Sequence, residues 1–184
     1  MRCAPELAHE HVQDARVYAN RRDLLSTAKR NAICAEIGVQ TGRWSAYLFQ
    51  ATDPRALHLI DIDLSQLQSD EPDVGKALAS EKVQLHEGDS VEVISGFPES
   101  HFDWVYIDAD HSLEGVRRDV EALMPRVKAD GVWYFNDYVK YSPLEGYEYG
   151  VMEAVNEMCI DRGFRISALA LQGLGYFDVA LTRS

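Results

Sequence analysis

Ala35-Glu36-Ile37-Gly38-Val39-Gln40-Thr41-Gly42 joins an apolar run to an acidic residue and two glycines separated by three residues. Ala32 to Val39 is short, apolar and β-competent, so it reads as a buried strand. Gly38 and Gly42 bracket a sharp strand-to-helix turn, where a missing side chain lets the backbone take unusual angles and lets a ligand approach. The helix predicted over Arg43 to Gln50 points its N-terminal amides at that ligand, and Glu36 faces the same crevice. An ordinary βα turn whose glycines serve only packing is the competing reading.

The rest of the chain frames that turn. A length of 184 residues with 46% hydrophobic content suits one domain over 1–184, with residues 1–30 as a helical extension. The formal charge of −12 argues against nucleic acid or an anionic membrane and for a small-molecule partner, because phosphate binding needs a basic surface. A homo-oligomer is compatible with the sequence. No long apolar run occurs, and Met1 to Asp14 lacks the apolar segment of a signal peptide, so a cytoplasmic location is expected. Cys3, Cys34 and Cys159 show no paired spacing and are read as structural or incidental thiols.

Residues from about Leu7 to Lys29 are helix-prone, with Val17, Leu24, Leu25 and Ala28 as a buried stripe that covers a sheet edge or roofs the ligand site. Downstream, polar residues gather where strands end. Ala56 to Ile60 runs into Asp61-Ile62-Asp63, and an acid about twenty residues past the glycine turn is where nucleotide-binding sheets hold ribose hydroxyls. Asp61 is the candidate, while Asp63 reads as a cap for the polar loop after it. A helix over Val74 to Ala79 leads to the strand Lys82 to His86, which ends in Glu87-Gly88-Asp89-Ser90; Ser90 contacts a base or caps the helix starting near Val91.

Phe102 to Ile107 continues into Asp108-Ala109-Asp110-His111, with Ser112 as N-cap of a helix whose apolar face is Leu113, Val116, Val120, Leu123 and Val127. Arg117, Arg118, Asp119 and Glu121 take its solvated face. Ala129-Asp130-Gly131 turns the chain into Val132 to Phe135, which ends in Asn136-Asp137-Tyr138. If both strands are parallel neighbours, their ends lie about 4.8 Å apart and Asp108, Asn136 and Asp137 converge. Three oxygen donors without cysteine suit a hard cation such as Mg²⁺; helix-capping strand ends that bind no metal are the alternative. Tyr138, Tyr141, Tyr147 and Tyr149 suggest an aromatic mouth. Phe164 to Leu171 and Tyr176 to Thr182, split by Gln172-Gly173-Leu174-Gly175, form an antiparallel hairpin.

Five βα units closed by that hairpin, with Glu36-x-Gly38-x-x-x-Gly42 after the first strand, resemble the class I S-adenosylmethionine-dependent methyltransferases. The run Tyr106 to Val116 and Phe135-Asn136-Asp137-Tyr138 resemble the macrocin-type and catechol-type O-methyltransferases. The resemblance implies an α/β, doubly wound, Rossmann-like, mostly parallel seven-stranded sheet with a C-terminal antiparallel hairpin. It implies that Glu36, Gly38 and Gly42 surround the methionine of S-adenosylmethionine, that Asp61 binds its ribose, and that Gly88, Asp89 and Ser90 border its adenine. It further implies Asp108 as cofactor neighbour and catalytic residue, His111 as general base, and Mg²⁺ on Asp108, Asn136 and Asp137, although Asn136 stands where several relatives carry an acid.

Three other functions compete with this reading. An NAD-dependent oxidoreductase shares the sheet and the acid after the second strand, but needs G-x-G-x-x-G, and this chain has Gly38-x-x-x-Gly42. A nucleic-acid N-methyltransferase needs prolines after Asn136 that are absent. A methyltransferase-like binding protein without turnover has the same fold but no need of the Asp108, His111, Asn136 and Asp137 group.

Overall fold

The computed structural model describes residues 3–184. Eight strands form one sheet in the order β1-β7-β8-β6-β5-β2-β3-β4. They are β1 (Arg16–Tyr18), β2 (Ile33–Ile37), β3 (Ala56–Asp61), β4 (Val83–Glu87), β5 (Phe102–Ile107), β6 (Val127–Phe135), β7 (Phe164–Leu171) and β8 (Phe177–Arg183). β8 alone runs against its neighbours, pairing antiparallel with both β6 and β7, while every other pairing is parallel. The expected seven-stranded sheet with a terminal hairpin is therefore correct in plan and one strand short.

The additional strand is β1, which pairs in parallel with β7 through Arg16 to Tyr18. Its three residues lie inside the segment expected to be one helix. That segment instead holds a 3-10 turn at His9–His11, β1 and a short helix α1 (Arg21–Leu25). Asn20 stops any longer helix by acting as an N-cap, its side chain accepting from the Asp23 amide at 2.9 Å. Leu24, Leu25 and Ala28 are buried as expected, but Val17 on the edge strand is exposed. The first two residues of the expected extension lie outside the described residues.

Helices cover both faces of the sheet, as residues apolar on both sides of a parallel strand require. α1, α2 (Arg43–Thr52) and α3 (Pro72–Leu78) lie on one side, α2 against Trp104, Tyr106 and Leu59. α4 (Ser90–Ser95), α5 (Leu113–Leu123) and α6 (Val151–Arg162) cover the other, around Val105, Ile107, Trp133 and Phe135. β5 is buried at all six positions, which explains why it reads as a continuous apolar run. The turn expected at residues 129–131 is an irregularity inside β6. Between the pairs Phe102↔Val127 and Trp104↔Val132, Lys128 to Gly131 stand opposite Asp103. This places Lys128 Nζ 2.8 Å from Asp103, which Lys29 also reaches at 2.7 Å.

β2 is followed by β3 and β4 on one side, whereas β5 and β6 lie on the other, so the winding reverses between β2 and β5. In open parallel sheets the crevice at such a reversal is where ligands bind. No helix among the described residues is long and apolar enough to cross a membrane.

Candidate functional site

A cleft of about 750 Å³ opens over the carboxyl ends of β2, β3, β5 and β6. Glu36, Gly38, Asp61, Asp89, Ser90, Asp108, His111, Asn136 and Asp137 all line it. Nine residues expected from separate strand ends are thus brought to one wall system. Gly42 and Gly88 are not among its lining.

The two glycines of the first turn differ in what they do. Gly38 has φ +88°, and a Cβ built there would overlap the carbonyl oxygen of Asp108. Only glycine lets the end of β2 lie against the end of β5. Gly42 (φ +78°) heads α2, and its Cβ would meet Leu67 Cδ2 at 2.8 Å, so it serves helix packing. Asp61 braces the same turn: its Oδ2 accepts from the Val39 amide at 2.6 Å and the Gln40 amide at 3.0 Å. Asp63 is a cap, accepting from Ser65 N at 2.8 Å, as expected.

At the floor, Glu36 is 1% exposed and its Oε2 has no hydrogen-bond partner among the described residues. Burial pushes its carboxyl well above the usual range, with Asp108 and Asp61 adding repulsion that Ser45 and Arg21 oppose. An acid held this way is set to accept from a ligand cation such as an ammonium group. That fits the amino end of S-adenosylmethionine.

At the other end of the cleft, Asp89 rather than Ser90 is the N-cap of α4, accepting from Val91 N at 3.0 Å, and it pairs with Arg118 at 3.1 Å. Ser90 instead donates to Asp119 at 2.5 Å. Asp119, expected on the solvated face of α5, is buried, and that burial pushes its carboxyl up to about 6 against the Ser90 hydrogen bond. The helix is amphipathic as expected, but α4 packs over this position.

The chemistry-bearing edge is formed by β5 and β6, which are parallel neighbours through Ile107↔Phe135. Ser112 caps α5, accepting from Gly115 N at 3.0 Å, and so fixes the loop that carries His111. His111 Nε2 lies 3.4 Å from Asp108 Oδ1 and 3.8 Å from Asp137 Oδ2. Its ring stacks on Tyr149, with centroids 4.4 Å apart and planes 8° from parallel. Burial opposes the imidazolium, but Asp108 foremost, then Asp137 and Glu145, raise its pKa. Asp137 is held in the left-handed region at φ 52°, and burial with repulsion from Asp108 raises its pKa.

Asn136 Nδ2 donates to Asp108 Oδ1 at 2.8 Å. Its oxygen faces inward, 3.4 Å from both the Tyr106 hydroxyl and Gln172 Nε2. Behind them Asp178, fully buried on β8, accepts from Tyr106 at 2.7 Å and from Gln172. Burial pushes Asp178 up to about 7 despite the Tyr106 bond. Asp108, Asn136 and Asp137 therefore converge as expected. However, the amide turns its NH₂ toward Asp108, and that group has no lone pair to give a cation, so the trio as oriented does not fit a three-oxygen Mg²⁺ site. No group of three or more His, Cys, Asp or Glu among the described residues is arranged to hold a metal.

Tyr147 and Tyr149 line the mouth with Glu145, as expected of an aromatic loop. Tyr138 and Tyr141 are not among its lining; Tyr138 donates inward to Asn156 at 2.7 Å. Sequence reasoning missed Arg21, Trp44 and Arg118 as cleft residues and Asp178 behind it. No spacing in the sequence links Arg21 or Asp178 to the turn.

The profile of a family described as a methyltransferase domain matches residues 35–138. No curated protein matches the sequence. Among solved structures, the O-methyltransferase TomG from Streptomyces achromogenes, described as involved in tomaymycin synthesis and in complex with S-adenosylmethionine, superposes with a TM-score of 0.67 at 19% identity; the match covers 96% of this chain and 86% of that one. A methyltransferase from Aquifex aeolicus gives 0.64 at 16% identity, covering 89% of each chain. The tRNA methyltransferase TrmK of B. subtilis gives 0.64 at 12% identity, covering 90% of this chain and 66% of that one.

Proposed function

This chain belongs to the methyltransferase-domain family, and from that premise we propose that it transfers the methyl group of S-adenosylmethionine to a hydroxyl of a small molecule. The observation that carries the acceptor chemistry is the meeting of Asp108, His111 and Asp137 in the same cleft as Glu36 and Asp61.

When bound, the cofactor's sulfonium supplies an activated methyl, leaving the protein to align the nucleophile and take its proton. Glu36 receives the ammonium group, Asp61 the ribose hydroxyls, and Asp89 with Ser90 borders the base. Gly38 lets the end of β2, with Glu36, lie against the end of β5, with Asp108, so that both face the same cleft. His111 Nε2 accepts the acceptor's hydroxyl proton, and Asp108 and Asp137 hold the resulting imidazolium. Asn136 fixes Asp108 for that task. Tyr147, Tyr149 and Glu145 flank the entry of the acceptor.

The net charge of −12 supports a small molecule over nucleic acid as the acceptor.

Calorimetry with S-adenosylmethionine, followed by transfer of labelled methyl to a panel of catechols, sugar diols and RNA, tests the proposal. Binding and labelling of a hydroxyl compound are expected. Absence of heat with the cofactor rejects the reading, and labelling of RNA alone rejects the acceptor class.

A further inference from the structure

Three arginines line the cleft: Arg21, Arg43 and Arg118. Arg43 pairs with Glu71 at 2.5 Å and Arg118 with Asp89 at 3.1 Å. Arg21 has no ion pair among the described residues, although it is half-buried at the wall that also carries Glu36. An arginine in that position loses hydration without gaining a fork-shaped partner, which its five N–H donors are suited to take.

What holds Arg21 there is visible in the packing. It is the first residue of α1, whose Leu24 and Leu25 are buried beside Cys34, Leu57 and Trp104. Its guanidinium carbon lies 4.0 Å from the centroid of Trp44, on α2. Trp44 is itself wedged between Tyr47, stacked at 4.8 Å, and Tyr106 at 5.5 Å. One turn of contact further out, Arg22 stands over Tyr47 at 5.3 Å, and the Tyr47 hydroxyl donates to the Arg22 carbonyl at 2.7 Å. A planar guanidinium laid on an indole keeps its edge free for in-plane hydrogen bonds. Asp178 and Asp108 act on Arg21 through space and the neutral Tyr106 hydroxyl is within its hydrogen-bonding reach, but no carboxylate among the described residues forms an ion pair with it. The cleft thus holds an acid with one unpartnered oxygen, Glu36 Oε2, and a cation without an ion pair among the described residues, Arg21. A ligand that satisfies both carries an ammonium and a carboxylate on one carbon.

Resting on the cofactor reading above, we infer that Arg21, seated on Trp44, is the clamp for the α-carboxylate of the cofactor's amino-acid tail, opposite Glu36. Arg21 lies outside the matched methyltransferase segment of residues 35–138, so this chain recruits its carboxylate clamp from α1. Recognition of the complete amino-acid tail is then what distinguishes the cofactor from adenosine thioethers that lack it. A bidentate charge-assisted contact of this kind is stronger than a neutral one and depends on the fork geometry.

Two ligands separate the clamp from the rest of the site: S-adenosylhomocysteine, which has the tail, and 5′-methylthioadenosine, which does not. By calorimetry, Arg21→Ala is expected to weaken S-adenosylhomocysteine by about 10- to 100-fold, the scale of a lost hydrogen bond to a charged group. Its affinity for 5′-methylthioadenosine should stay within about threefold of the parent. Arg21→Lys, which keeps the charge without the fork and serves if the alanine variant does not fold, should weaken only S-adenosylhomocysteine, and by less. Equal loss for both ligands means that α1 merely packs the cleft, and overturns the clamp; unchanged S-adenosylhomocysteine affinity in both variants does the same. A parent protein that binds neither ligand overturns the cofactor reading itself.

Discussion

Asn136 donates its amide to Asp108 at 2.8 Å while its oxygen is turned toward Tyr106 and Gln172. An asparagine amide has two chemically distinct ends, so whatever fixes one end decides what the other offers. Here Asp178 is the fixing group, and through Tyr106 and Gln172 the hairpin at β7 and β8 sets the character of the reactive edge. Tyr106→Phe removes a donor from a buried carboxylate and should cost about 1–3 kcal/mol in denaturant unfolding. A stability equal to that of the parent would show that Asp178 does not depend on this hydroxyl.

His111→Gln keeps a polar group on the loop but removes the proton acceptor. Methyl transfer to the acceptor identified in the panel should fall about 10²- to 10⁴-fold, the usual worth of a general base. S-adenosylhomocysteine affinity should be nearly unchanged, because Glu36 and Asp61 are elsewhere in the cleft. A loss of cofactor affinity equal to the loss of rate would remove His111 from the base role.

Gly38→Ala should be far more harmful than Gly42→Ala. Both have positive φ, but the first Cβ runs into the backbone of Asp108 and the second into the mobile end of Leu67. We expect Gly38→Ala to destabilise by more than about 2 kcal/mol, as strain at a position that only glycine can occupy does, and to abolish cofactor binding. Thermal melts and calorimetry of the two variants side by side decide it, and equal effects would contradict the close approach of β2 to β5.

Away from the cleft, His58 Nδ1 lies 3.0 Å from His86 Nε2, with Phe97, Phe102 and His101 around it. Burial, then His86 and His101, lower the pKa of His58 to about 4 from 6.5. In the unfolded chain His58 binds a proton near pH 6.5, whereas in the folded chain it resists protonation until about pH 4. Its contribution is therefore complete above the unfolded value and is lost as pH falls through this window. Melting temperature should drop between pH 6.5 and 4 and the drop should shrink in His58→Phe, measured by calorimetric scans across that range. A slope unchanged by the substitution would assign the acid sensitivity to other groups.

The parallel core was readable because each of its strands ends in an abrupt change from apolar to polar. Ile37-Gly38, Ile60-Asp61, Ile107-Asp108 and Phe135-Asn136 mark the cleft directly. Asp119 misled because helical periodicity shows which face of α5 is polar, and cannot show that α4 covers part of that face. Asp178 lies in a strand pattern where alternation suggests solvent, yet both sides of β8 are covered at that point. The strand β1 was hidden for a different reason: three residues with mostly exposed side chains carry no burial pattern, and only pairing with β7 makes them a strand. The same placement hid Arg21, since its role depends on where α1 lies over the sheet.

β1 sits at one edge of the sheet and β2 sixth in the order, so the stretch joining them crosses β7, β8, β6 and β5. At about 4.8 Å per strand spacing that is a passage of roughly 24 Å. Asn20, Arg21 and the buried leucines of α1 are therefore part of a strap pinned at both its ends by sheet hydrogen bonds, not a flap with one free end. Arg21 is thereby held at the cleft by backbone pairing on either side of it, at β1 and at β2, whereas Tyr147 and Tyr149 reach the cleft from the loop before α6.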